Sequence, residues 1–434
     1  MASKAGWRFA AGLALVATAS ACDADGCAPK FLGLAGSSAH DGGLGIDAAA
    51  LAVRGDPIRG RALVERFECN RCHEGTGLAT PPLEKQCVSC HKDIVRGKHK
   101  APSDFVNARW VSRVTQLADA PSLDNAYGRL KPEWIATFVR NPHDLRPKLV
   151  LTMPRLAITD AEARDVAAYL APRADTKADD LEDKLVLERG NAPVGRELMI
   201  AKGCGTCHAM TGATLPGAIL PTDVKVPDLD TGMRLAPDLR FTRERMRPAR
   251  VQEWLLRPEE IRPGTPMPNF KLTAEEARNI AKAIVADRLD PLPAAEPVEV
   301  PKPLDREVTF AEVQATVLKR TCWHCHSDPD LERGDTGPGN SGGFGFAPRG
   351  LNLAEYTGVF AGATDDKGER HSIFAPMKDG TPRIVAALLA RHREERGLPP
   401  DPDADLRGMP LGLPPLPMDE IRLVATWIAQ GRKR

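Results

Sequence analysis

Eight of the chain's ten cysteines fall in four identical frames: Cys69-Asn70-Arg71-Cys72-His73, Cys87-Val88-Ser89-Cys90-His91, Cys204-Gly205-Thr206-Cys207-His208 and Cys322-Trp323-His324-Cys325-His326. Each reads CxxCH. Random placement of this many cysteines and histidines would supply on the order of 0.005 such pentads, so four of them are a chemical specification. Two thiols three positions apart can add across the two vinyl groups of a porphyrin on one helical turn. The adjacent imidazole then lies under the iron, which is the attachment chemistry of haem c. A single CxxC could also be half a zinc site or a thiol-disulfide pair. Zinc requires the pairs to gather in fours, and a redox pair requires no histidine. The frames therefore specify four covalently attached haem c groups, with His73, His91, His208 and His326 as the first axial ligands.

The sixth ligand sets much of an iron's potential, since a thioether raises it and a second imidazole leaves it lower. Met153, Met267 and Met409 are each followed by proline, which fixes the loop, and each precedes the last helix of its segment. The expected pairs are His73 with Met153, His208 with Met267, and His326 with Met409; Met377 and Met418 are competitors for the last. The frame at Cys87 has no Met-Pro of its own. Its candidates are His99, eight residues on, and His143, or an iron with no protein ligand. His324, His371 and His392 read as solvated surface residues.

The elements that must position these groups repeat. Gly60-Arg61-Ala62-Leu63 leads six residues later to Cys69, and Gly195-Arg196-Glu197-Leu198 leads six residues later to Cys204. Both are amphipathic helices running into a frame. Residues 133–142 and 253–258, each with a Trp, precede the two Met-Pro loops. Thr159 and Thr273, each followed by acidic residues, are capping signatures for a closing helix. The third segment is a looser copy: a helix over 310–319, Cys322, a Gly-rich stretch, Met409-Pro410 and a helix over 419–429. Strand signals are sparse. Breaks fall at the charged run 173–193 and at the proline-rich 291–305, and residues 22–54 read as a flexible tether.

Helix, CxxCH, an Ala-Pro-x-Leu loop (Ala120-Pro121-Ser122-Leu123; Ala236-Pro237-Asp238-Leu239), a Trp-bearing helix, Met-Pro and a closing helix together resemble class I cytochrome c over residues 55–172 and 194–290. The resemblance implies an all-α fold in which haem fills the core, in keeping with an aromatic content of only 5%. The third segment is similar to cytochrome c domains of environmental bacteria that end in Met-Pro and a Trp-Ile-x-x-Gly helix, here Trp427 to Gly431, apart from its long insertion 328–407. The expected architecture is three tandem cytochrome c-like domains joined by flexible linkers. These are a dihaem domain over 55–172, a monohaem domain over 194–290 and a monohaem domain over 306–434.

At 434 residues the chain is too long for one ordinary core. Its 59 Lys plus Arg against 58 Asp plus Glu leave a formal charge of +1, which removes the broad electrostatic case for nucleic acid or an anionic membrane. Lys4 and Arg8, an apolar stretch over 9–16 and Ala19-Ser20-Ala21 read as an export signal over residues 1–21. Cleavage after Ala21 makes Cys22 the first mature residue, as in a lipidated bacterial lipoprotein, except that Ala19 stands where Leu is usual. The alternative is a soluble periplasmic protein with Cys22 paired to Cys27. Membrane attachment is then only through a lipid at Cys22. The functional expectation is a tetrahaem cytochrome passing single electrons between redox partner proteins outside the cytoplasmic membrane. The alternatives are a haem enzyme, a peroxidase or small-oxyanion redox enzyme with one five-coordinate haem, and a redox sensor. Neither a G-x-G-x-x-G unit nor a histidine-rich copper cluster supports a second cofactor.

Overall fold

The repeated glycine ahead of the first and third frames sits where two helices cross. In the computed structural model, helix Pro57–Arg66 is opened by Asp56, whose side chain accepts from the amides of Ile58 and Arg59. It packs on the closing helix Asp160–Leu170. A Cβ on Gly60 would stand 1.9 Å from the Asp165 carbonyl oxygen, so glycine alone permits the approach. Helix Ala192–Ala201, capped by Asn191, meets helix Ala274–Ala286 in the same way, with a Cβ on Gly195 placed 2.0 Å from the Asn279 oxygen. Both closing helices carry the capping box the sequence predicts, Thr159 with Glu162 and Thr273 with Glu276. The Trp-bearing segments are the helices Pro132–Arg140 and Pro248–Leu256, packed on these closing helices.

The structure describes residues 55–434 apart from 100–102, 125, 127–128, 144, 173–176, 218–219, 223, 227, 328–338, 341, 366 and 399–405. The expected export signal, the tether, Cys22 and Cys27 lie outside the described residues. Among the described residues the fold is helical, and the strands are a two-residue antiparallel pair, Ala363–Thr364 with Arg370–His371. No described helix is long and apolar enough to cross a membrane.

The buried apolar side chains form three clusters. One gathers Val64, Phe67, Ile135, Val139 and Val166; a second gathers Met199, Val251, Leu255 and Ile280; a third gathers Val308, Val317, Leu388, Ile421 and Trp427. The third is rich in rings, with Phe310, Tyr356, Phe360 and Phe374 arranged around Trp427. Its helix runs over Phe310–Val313 and continues with π-type turns from Gln314 to Cys322. The long insertion contributes helix Arg383–Glu395, whose Val385, Leu388 and Leu389 are buried.

Three sequence expectations change. The charged run expected as a break contains helix Lys177–Arg189. Asp180 and Asp183 pair with Arg247, Asp179 pairs with Arg250, and Val186 enters the second cluster. The charges have partners, which composition alone does not reveal. The proline-rich 291–305, expected as a flexible linker, is extended but fastened. Val298 and Leu304 pack on the third cluster, and Arg422 donates to the carbonyls of Lys302 and Pro303. His392, expected at the surface, is buried, with Nε2 donating to the Leu416 carbonyl at 2.7 Å.

The crossing glycines yield a direct prediction. Gly60→Val and Gly195→Val should each lower unfolding stability by about 1–3 kcal/mol, the usual cost of overpacking a tight contact. Denaturant titration checks this, and an unchanged midpoint in both variants contradicts the crossing geometry.

Candidate functional site

Each frame is one turn closed by its own backbone. The amide of His73 donates to the Cys69 carbonyl at 2.9 Å, His208 to Cys204 at 3.0 Å and His326 to Cys322 at 3.0 Å. The second frame forms the first turns of a regular helix, Cys87–Val95. Residues i, i+3 and i+4 share one side of such a turn, so both thiols and the imidazole of each frame point the same way. The residue before the first cysteine is left-handed in two frames, Glu68 at φ 50° and Gly203 at φ 70°.

The proximal imidazoles are prepared as metal ligands. His73 Nδ1 lies 2.8 Å from the Pro121 carbonyl oxygen and His208 Nδ1 lies 2.8 Å from that of Pro237. A carbonyl only accepts, so Nδ1 carries the proton in both and Nε2 keeps its lone pair. Burial holds His73 and His208 below the usual imidazole range against the opposing pull of these carbonyls. Burial pushes His91 and His326 down to about 4. All four favour the neutral form that can bind iron.

The thiols shift the other way. Burial pushes Cys69 and Cys322 up to about 12 and Cys204 up to about 11. These shifts run opposite to the lowered thiol of a disulfide-exchange pair.

Met153 and Met267 are half-buried against the first and second clusters, together with Trp134 in the first. Met409 is half-buried against the third, its amide donating to the Ala387 carbonyl at 2.9 Å. These methionines are less exposed than a polar Met-Pro loop suggests. Trp254 Nε1 donates to Met267 Sδ at 2.8 Å, which leaves the second lone pair of the thioether available.

The first two frames are brought together. Cys72 lies within hydrogen-bonding reach of Cys87, Arg71 Nε donates to the Lys85 carbonyl at 3.2 Å, and a cavity of about 300 Å³ is lined by Cys72, His73, Val88 and Lys92. His99 stands past the C-terminal end of the helix that carries His91, its ring 5.7 Å from Trp110. His143 is sandwiched between Phe138 and Phe241, with ring centroids 5.4 and 5.5 Å away.

Sequence reasoning missed an arginine cluster. Arg245 is half-buried, its pKa pushed down to about 10 by burial and then by Arg129, and its guanidinium lies 6.0 Å over the Trp134 ring. Arg245 Nε and Trp134 Nε1 are buried with no hydrogen-bond partner. Arg245 acts on His208 and Arg146 acts on His73, so the cluster adjoins both imidazoles. An anion would offset these clustered cations and the orphaned N–H donors, which is the part the two propionates of a haem would take. The signal was present as arginines scattered over 129–146 and 240–262, but their convergence depends on the packing of two segments. That packing includes the Lys131 amide on the Arg245 carbonyl at 2.7 Å and the Asp238 amide on the Leu145 carbonyl at 2.8 Å.

Paired thiols, lone-pair imidazoles, half-buried thioethers and neighbouring arginines on a helical fold are the donor set that a c-type haem would need. The cytochrome c family model matches residues 82–172 and again 193–284, so the chain carries cytochrome c domains, with the covalent haem c and redox role that these imply. No curated protein and no solved structure matches the chain. The first match begins after Cys69–His73 and includes the frame at Cys87. The crossing at Gly60 and the bond from His73 to Pro121 nevertheless reproduce, in residues 55–81, the geometry of the second matched segment.

The Trp254–Met267 bond draws electron density from the thioether. Trp254→Phe should therefore lower the potential of the haem at Cys204 and Cys207 by about 40 mV, the one-electron equivalent of a hydrogen bond worth about 1 kcal/mol. Spectroelectrochemical titration reads this directly, and an unmoved midpoint removes that role from Trp254.

Proposed function

We propose that the protein is a tetrahaem c-type cytochrome that carries single electrons between redox partner proteins outside the cytoplasmic membrane. The reading rests above all on the four frame turns, each presenting two thiols and an imidazole on one side. It assigns the chain three cytochrome c-like domains, the first with two haems. A haem c bound at these frames supplies a one-electron iron couple.

The chain's own residues do the rest. The paired thiols pin the porphyrin edge, and the proline carbonyls at 121 and 237 hold two imidazoles in the ligating tautomer. Met153, Met267 and Met409 are assigned as thioether ligands to the irons held by His73, His208 and His326. Arg245 and its neighbours offset propionate charge, and the apolar clusters keep water from the irons, both of which favour a stable potential. Donor and acceptor are proteins met through local patches, since the net charge is close to zero. Export, as a periplasmic protein or as a lipoprotein anchored at Cys22, follows from the signal-like N-terminus.

Met153→Ala, Met267→Ala and Met409→Ala should each lower one midpoint by about 100 mV or more, the scale on which axial ligands act. Potentiometric titration of the three variants checks the assignment. Three unchanged titrations would remove all three ligands.

A further inference from the structure

Two of the three assigned thioether loops are tied to each other by one side chain from the long insertion of the third segment. Arg391, on helix Arg383–Glu395, is only 1% exposed. A cation buried this far is costly unless its donors find acceptors, and here the three guanidinium nitrogens go to three different stretches of chain. Nε donates to the Leu413 carbonyl at 2.8 Å, Nη1 to Glu394 Oε2 at 3.2 Å, and Nη2 to the Leu151 carbonyl. Leu151 stands two residues before Met153, and Leu413 stands four residues after Met409.

Glu394 extends the tie. Its Oε1 accepts from the amide of Gly408, the residue before Met409, at 3.0 Å in a buried bond. The Met409 amide donates to Ala387 on the same helix at 2.9 Å. From the first segment, Arg155 is buried two residues after Met153, and its Nη2 donates to the Leu398 carbonyl, just past the end of that helix, at 3.3 Å. The loops also touch directly, since a Cβ built on Gly412 would stand 3.5 Å from the Thr152 carbonyl oxygen. One helix and the turn after it therefore reach residues on both sides of Met153 and on both sides of Met409. Only the fixed fork of an arginine can serve two carbonyls and a carboxylate from one stem; a lysine ammonium is a point charge without that spread.

We propose that Arg391 is a positioning residue for the sixth ligands of two haems. It clamps the Met153 loop of the first segment and the Met409 loop of the third into one unit, so that the two thioethers seat and unseat together. This rests on the assignment of Met153 and Met409 as ligands and deepens it. The irons held by His73 and His326 then share one restraint, supplied by the insertion, and the Met267 loop lies outside it.

The test is potentiometric titration of Arg391→Gln and Arg391→Lys in the full-length, haem-loaded protein. The two haems concerned are identified by the midpoints that Met153→Ala and Met409→Ala lower singly. The expected result is four haems and unchanged helix content, with both of those midpoints lowered together and the midpoint that Met267→Ala lowers left in place. Arg391→Lys keeps the charge beside Glu394 but not both carbonyl bonds, and should move the same two midpoints by less. Four haems with a shift confined to the third segment's haem, or with no shift, would overturn the clamp and leave Arg391 a residue that folds its own segment. A second measurement needs no substitution. Hydrogen exchange of the unaltered protein, read by mass spectrometry on peptides covering 149–153 and 406–413, should show the two loops opening at rates within about tenfold of each other, as parts of one cooperative unit do. Rates further apart would overturn the clamp even if neither variant folds. Met153→Ala and Met409→Ala that leave every midpoint unmoved would instead overturn the ligand assignment on which the effect on potential rests.

Discussion

The rest of the structure depends on a bond of under 3.1 Å, that from a frame histidine's amide back to the carbonyl of its first cysteine. It forces two thiols and an imidazole onto one side of a turn, and everything around the frames holds that side where a haem can lie. The crossings at Gly60 and Gly195 fix the helices that deliver the turns. The proline carbonyls fix the ring tautomers, and burial keeps the imidazoles neutral and the thiols protonated until they react.

A second constraint acts between the segments. The first segment contacts both of the others. Lys131 and Leu145 meet the second segment, whereas Glu68 accepts from the Phe344 amide at 3.0 Å and Arg113 grips Glu420 in the third. Arg71 also lies 4.9 Å over the Phe344 ring. These contacts join the segment with two frames to each of the other two. Between the first two segments Arg234 also pairs with Asp119.

Much of this was legible in the sequence where a local rule is strict. The capping boxes at Thr159 and Thr273 and the repeated helices that lead into Cys69 and Cys204 each depend on a few neighbouring residues, and the structure holds them as read. The reading failed where a partner is distant. Residues 177–189 look like a solvated break until Arg247 and Arg250 are placed beside Asp180, Asp183 and Asp179. The proline stretch looks free until Arg422 and the third cluster hold it, and His392 looks exposed until its carbonyl partner appears. The role of Trp254 toward Met267 was invisible for the same reason: the sequence shows a Trp on a helix, not where its N–H points. The third segment departs furthest, because its insertion brings Tyr356, Phe360 and Phe374 against Phe310 and Trp427.

A protein that relays electrons as proposed would hold four haems at the four frames, with every iron six-coordinate. Haem quantified by pyridine haemochrome on the purified oxidised protein, combined with its low-temperature electron paramagnetic resonance spectrum, tests that claim most directly. The account predicts four haems per chain and only low-spin signals. A high-spin signal amounting to one haem equivalent would contradict it, and would turn the molecule from a conductor into a candidate enzyme with an open iron.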